Sequence, residues 1–334
     1  MQYQTRLPLH IAAMKPKPKP RLRVLRDHDI QFFMTYGYVK IPGCFTRLQC
    51  EMMMGDLWRR MGVSPDKRTW HSERVDVPWT QSFNIDQFAP KARNVIYDLL
   101  EEGRVDEDCL GWGDDLIVNL GTPMGEGKVI RPDGWHVDGD NFAHFLDSPE
   151  QALLMITLFT DVQPNAGGTA LCPAALAEVA QFLLEHPEGV SPHLVPRAED
   201  PNWNRTPTRW RIGEIMERMP SNTFVEATGH AGDVYFIHPL MPHSATNNSR
   251  RELRVINNPG ANLREPFNFN RHDGNYSIVE LTTLHHLGRR NLPGWRATGS
   301  RDKIVPERER EQELSRLQAT KPTYMARLYL PPSP

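Results

Sequence analysis

The chain has 334 residues, of which 24% are charged and 39% hydrophobic, with a formal net charge of −2. That length suits one large β-type domain with additions or two small ones, and the near-neutral balance argues against nucleic acid or an anionic membrane as a partner. Cys44, Cys50, Cys109 and Cys172 form no Cys-x-x-Cys pair, which argues against a zinc finger or disulfide scaffold and predicts a reducing, cytoplasmic setting. No apolar run approaches the roughly 20 residues of a membrane helix.

Residues 1–26 carry Lys and Arg but no acidic group, and run into Lys15-Pro16-Lys17-Pro18-Lys19-Pro20. They are read as a flexible basic arm, since alternating Pro cannot form helix or central strand. A single domain is expected over 27–300. Asp27 to Tyr36 reads as an amphipathic helix with Ile30, Phe33 and Met34 on one stripe, ended by Gly37. A short strand follows at Tyr38–Ile41, then a second helix from about Arg47 to Met61 carrying Leu48, Met52, Leu57 and Trp58. Residues 62–90 read as irregular and 91–102 as helical. Asp115–Leu120 reads as a strand leading to a Gly-rich turn. Leu153–Phe159 is nearly all apolar, hence a strand buried on both faces. Gly167-Gly168-Thr169 turns into a short strand, and Pro173–His186 is a helix striped by Leu176, Val179, Ala180, Leu183 and Leu184. An insert at about 187–222 is Pro-, Trp- and Arg-rich and reads as an excursion from the core. Strand texture returns at Phe224–Glu226, Val234–Ile237 and Leu253–Asn257. Past Gly260 the chain reads as polar and irregular. It closes, over 301–334, with a charged helix (Val305 to Gln318) and a Pro-rich tail. Short strands separated by turn signals predict a mainly β sandwich or barrel with flanking helices.

His-x-Asp/Glu occurs three times: His71/Glu73, His136/Asp138 and His186/Glu188. With 13 His and 41 acidic residues, about one or two such triplets arise by chance, so context decides. His71/Glu73 sits in a polar stretch beside Arg74, and His186/Glu188 straddles a Pro at a helix end. His136/Asp138 lies among strands, where side chains two apart share a face. One further imidazole would complete the two-His, one-carboxylate set that holds non-haem Fe(II) with its opposite coordination face open. The Gly232-Asp233 turn and strand that follow offer His238 and His243. Arg254, between Leu253 and Val255, is a strand arginine that needs an anion if buried. A structural salt bridge or a carboxylate on a co-substrate would serve.

Taken in order, Tyr36-Gly37-Tyr38-Val39-x-Ile41-Pro42-Gly43-x-Phe45, His136-x-Asp138, Asn165-x-Gly167-Gly168-Thr169, Gly232-Asp233 through His243 with Asn248, and Arg254 resemble the phytanoyl-CoA dioxygenase family over roughly residues 27–260. The resemblance implies a double-stranded β-helix (jelly-roll, cupin-like) core and dependence on Fe(II) and 2-oxoglutarate. It implies His136, Asp138 and His243 as metal ligands, Arg254 on the distal carboxylate of 2-oxoglutarate, Thr169 as an assisting hydroxyl and Asn119 as a further co-substrate contact. Ala245 departs from the Ser or Thr often found two residues past the distal His. The expected activity is oxidation of a small organic molecule by O2 with release of succinate and CO2. The carboxylate ligand leaves no vacancy for chloride, which favours hydroxylation, desaturation or ring chemistry over halogenation. Two other readings fit the same barrel: a cupin-like metal enzyme without 2-oxoglutarate, and a non-catalytic jelly-roll binding module. Trp70, Trp79, Trp203 and Trp210 either line the pocket mouth or pin loops to the core. Arg205, Arg209 and Arg211 either meet an acidic substrate or form a solvated loop. The sequence is compatible with a monomer or a homodimer.

Overall fold

A computed structural model describes residues 22–70, 74–122, 134–203, 211–306 and 309–310. The chain enters through Arg23, Val24 and Leu25, whose backbone N–H groups all donate to the Asp98 carboxylate. Helix α1 (Asp27–Tyr36) buries Phe33 and ends at Gly37 in the left-handed conformation, as its stripe and terminator predict. Strand β1 (Tyr38–Ile41) follows. The expected helix 47–61 is two helices, α2 (Arg47–Met53) and α3 (Leu57–Met61). Met54 N–H is shared between the Cys50 and Glu51 carbonyls, tightening the last turn just before Gly55. The buried stripe is Cys50, Met53 and Leu57, whereas Leu48 and Met52 are exposed.

Residues 74–122 add β2 (Arg74–Val77), the pair β3 (Ser82–Asn84) and β4 (Gly111–Gly113), helices α4 (Ile85–Phe88) and α5 (Pro90–Leu100), and β5 (Leu116–Asn119). Next come β6 (Leu153–Leu158), buried throughout as its apolar run predicts, β7 (Thr169–Leu171) and α6 (Leu176–Glu185). The excursion at 187–222 is more than a surface loop. It contains α7 (Arg211–Glu217), and Val190, Leu194, Ile212 and Ile215 join the main core. The remaining strands are β8 (Val225–Glu226), β9 (Val234–Ile237), β10 (His243–Ala245), β11 (Arg254–Asn257) and β12 (Gly260–Ala261). Helix α8 (Ile278–His286) lies in the stretch read as irregular, with Ile278, Val279, Thr282 and Leu284 buried. The charged helix expected at Val305–Gln318 lies almost wholly outside the described residues.

The larger sheet runs β1-β9-β6-β11-β5-β2, with β12 also on β6, and the smaller runs β10-β7-β8; every pairing is antiparallel. An isolated bridge from His136 to His243 adds a fourth element to the smaller sheet. From β5 onward the chain visits large, small, large, small, small, large, small and large sheet in turn. That alternation is the connectivity of a double-stranded β-helix, so the core is a jelly roll with helices on its outer face. There α8 packs against α1, α5 and α6. Among the described residues no helix is long and apolar enough to cross a membrane.

Behind the sheet, His238 is 1% exposed, and its Nε2 lies 2.9 Å from Thr283 Oγ1 on α8. Burial, and then the nearby His286, push its pKa from 6.5 down to about 3. Burial and His285 lower His286 to about 4. In the unfolded chain these rings take up protons near pH 6.5, while the folded state does not. The folded chain is therefore at full strength above that pH and loses up to about 1.4 kcal/mol per pH unit per such site as acid is added. Denaturant melts between pH 6.5 and pH 4 should show this slope, and His238→Gln should flatten it. An unchanged slope in that variant would contradict the assignment.

Candidate metal centre

His136, Asp138 and His243 converge, and one ligating atom from each lies within 4.8 Å of the others. His243 opens β10, a strand of its own that the sequence reading ran into the end of β9. His136 and Asp138 sit on extended backbone joined to β10 only through His136: its N–H donates to His243 O at 3.0 Å, and His243 N–H returns the bond at 2.9 Å. A full strand was expected here. Gly134 and Gly139, both at positive φ, flank the segment and stop the ladder. The period of two survives locally: Trp135 and Val137 are buried in the core, which turns His136 and Asp138 to the opposite side.

Each imidazole is held from behind. His136 Nδ1 lies 2.8 Å from Gly134 O, and His243 Nδ1 lies 3.1 Å from Met241 O. A carbonyl can only accept, so each Nδ1 carries the proton and each Nε2 presents a lone pair. Those two Nε2 atoms stand 3.3 Å and 3.4 Å from the same oxygen, Asp138 Oδ1. Two lone pairs turned on one anionic oxygen repel unless a proton or a cation sits among them, which is the donor set and arrangement a divalent metal requires. Burial favours a neutral Asp138, but the two imidazoles outweigh it and hold the carboxyl well below the usual range. Burial likewise opposes charge on His136, and Asp138 outweighs it, raising that pKa. The His136 side chain is 43% exposed, against 16% for Asp138 and 6% for His243, so the cluster opens on the His136 side.

Arg254 lies on the lumen face of β11. Its Nε donates to Gly167 O at 2.7 Å and its Nη1 to Ile117 O at 3.1 Å. It is 2% exposed, and among the described residues no carboxylate lies within ion-pair distance of it. Burial, then repulsion from Arg74, bring its pKa from 12.5 down to about 9. Gly167, at φ 80°, lies close under two amide side chains: an added Cβ would come within 2.7 Å of the Asn119 amide and 2.9 Å of Asn248 Cβ. Asn119 stands opposite both Arg254 and Arg74 in register. Its amide is engaged at both ends, donating to Thr246 O at 3.1 Å and accepting from Gly121 N–H at 3.0 Å. Thr169 is buried and pairs with Ala245 across β7 and β10, two residues along from the pair Leu171 and His243, so it shares a face with His243. Asn248 donates to Asn119 O and Glu252 O, which closes the loop before β11.

The other singled-out residues lie apart from this cluster. His186 Nδ1 pairs with Glu188 at 2.9 Å at the end of α6, and His71/Glu73, Trp210, Arg205 and Arg209 lie outside the described residues. Trp70 stacks on Trp58 and Trp203 is buried under Arg197, both as loop anchors, whereas Trp79 is exposed. Arg211 is paired with Glu199 and Glu214. One neighbour of the triad has no counterpart in the sequence reading: Asn258 Nδ2 donates to Asp138 Oδ2 at 3.1 Å. Continuing the alternation Arg254, Ile256, Asn258 along the strand would have turned it to the lumen.

No family model matches the chain, and no curated protein matches it. Among solved structures, HygX from Streptomyces hygroscopicus with nickel and 2-oxoglutarate bound is 14% identical, over 72% of this chain and 88% of its own, with a TM-score of 0.38. The non-heme alpha ketoglutarate dependent carbocyclase SnoK from nogalamycin biosynthesis is 15% identical, over 84% and 97%, also at 0.38. GlcNAc Inducible Gene 2 protein from Candida albicans is 10% identical, over 72% and 64%, at 0.42. Likeness at this level assigns no activity to this chain.

Proposed function

We propose that this protein is an Fe(II)- and 2-oxoglutarate-dependent oxygenase acting on a small organic molecule. The observation that carries the reading is Arg254, a buried guanidinium without a carboxylate partner among the described residues, set in the same jelly-roll lumen as a two-His, one-carboxylate cluster. A buried charge needs an anion, and the distal carboxylate of 2-oxoglutarate matches the guanidinium fork. Asn258, which touches Asp138, lies four residues from Arg254 on the same face. At ~3.3 Å per residue this is a span of about 13 Å, which an arginine side chain and a dicarboxylate together can bridge.

His136, Asp138 and His243 would hold the metal. Fe(II) with 2-oxoglutarate and O2 supplies the oxidant, with succinate and CO2 released. The chain's own work is positional. Gly134 O and Met241 O fix the imidazole tautomers, Asn119 braces the turn that admits Arg254, and Thr169 offers a hydroxyl on the His243 face. Substrate enters from the side where His136 is exposed.

Mixing the protein anaerobically with Fe(II) and 2-oxoglutarate should produce a weak visible charge-transfer band that His136→Ala abolishes, and admitting O2 with a small-molecule library should release succinate. Absence of the band refutes the reading. Metal uptake without any succinate, whatever the library, would favour a metal enzyme that does not use this co-substrate.

A further inference from the structure

The two oxygens of Asp138 have different neighbours. Oδ1 faces His136 Nε2 at 3.3 Å and His243 Nε2 at 3.4 Å, while Oδ2 accepts from Asn258 Nδ2 at 3.1 Å. The amide arrives from the link between β11 and β12. Both strands pair with β6, and the register runs through without a slip: Ile256↔Leu158 and Asn257↔Thr157 on one side, Gly260↔Leu154 and Ala261↔Leu153 on the other. Only 258 and 259 drop out of the ladder. Pro259 has no N–H to give, although its carbonyl still accepts from Met155 N–H at 2.9 Å. Freed from pairing but held in register, Asn258 stays on the face that carries Arg254 and reaches across to Asp138. An ionised carboxylate only accepts hydrogen bonds, so the amide must present its nitrogen to it.

We propose that Asn258 is a positioning residue that makes Asp138 a one-oxygen metal ligand. With Oδ2 committed to the amide, only Oδ1 is turned toward the two imidazoles, and Asp138 cannot take a second coordination position by chelation. That position is one a two-point ligand such as 2-oxoglutarate needs, and in this respect the inference rests on the function proposed above. Removing the amide frees Oδ2 to compete for it.

The test uses the full chain with cobalt(II) as the probe, comparing wild type with Asn258→Leu, which keeps the shape without the donor, and Asn258→Ala. The first readout is the infrared difference spectrum on cobalt binding, which separates one-oxygen from chelating carboxylate. The second is a titration of the cobalt absorption with 2-oxoglutarate. In both variants the splitting of the carboxylate stretches should narrow. Cobalt affinity should fall by no more than ~10-fold, the lower end of what loss of a ligand-orienting partner costs, and 2-oxoglutarate affinity should fall by more than cobalt affinity. An unchanged splitting overturns the proposal, as does a parallel loss of cobalt and 2-oxoglutarate, which marks a merely structural role. Wild-type protein that takes up no cobalt overturns this proposal and the proposed function together. Wild-type protein that takes up cobalt but ignores 2-oxoglutarate overturns the function alone, and the infrared readout still decides Asn258.

Discussion

Asp138→Ala is expected to lose divalent metal binding by more than about 100-fold, above the range for loss of a ligand-orienting partner alone, and all turnover with it. Asp138 is the only anion of the three-residue cluster. It neutralises part of the cation's charge, and without it two imidazoles remain with nothing to hold them at one point. The two histidines should respond differently when truncated. His136 is 43% exposed at the side chain and His243 only 6%. Added imidazole should therefore restore metal binding to His136→Ala but leave His243→Ala metal-free. Iron or cobalt titration with and without imidazole checks both halves. Equal rescue of the two variants, or metal retained in Asp138→Ala, would remove these residues as the ligand set.

The pairing of His136 with Asp138 was legible because side chains two apart on extended backbone share a face, whereas the choice of His243 over His238 came only from the family resemblance. Trp135 and Val137 pack inward, so His136 and Asp138 could only face the other way. What remained hidden has physical causes. The apolar residues of 47–61 permit two stripes, and only packing against the core selects Cys50, Met53 and Leu57 over Leu48 and Met52. Helix α8 is weakly amphipathic because it is buried nearly all round, although Ser277 and Glu280 do form the capping box that announces its start. Its buried Glu280 accepts from Arg104 at 2.8 Å and Arg271 at 3.1 Å, partners 176 and 9 residues away that no local pattern links. His243 could not be assigned a strand of its own, since Pro239 and Pro242 mask the boundary between β9 and β10. Asn258 reads locally as a turn residue before Pro259, and its contact with Asp138 spans 120 residues.

Arg254→Met should separate co-substrate binding from metal binding and from stability. The side chain fills similar space but brings no charge, so Fe(II) affinity should stay as in wild type. The 2-oxoglutarate requirement should rise at least about 30-fold, the equivalent of the roughly 2 kcal/mol lower end for breaking a buried charge pair. Arg254→Lys should fall between, because an ammonium keeps the charge without the fork. Stability gives an independent reading. In the absence of co-substrate a buried guanidinium with its pKa pulled down to about 9 is a burden on the fold, while its bonds to Gly167 O and Ile117 O are a gain. These oppose each other, and the melting temperature of the free variant should lie near that of wild type. With 2-oxoglutarate at about 100 times its wild-type dissociation constant, wild type should gain ~2.7 kcal/mol of stability and the variant no more than ~0.9 kcal/mol. A structural arginine would behave the other way: Arg254→Met would melt lower with or without 2-oxoglutarate, and the ligand-dependent gain would survive. Thermal melts with and without the co-substrate on a metal-loaded protein therefore distinguish an arginine built to receive a carboxylate from one built to hold the barrel.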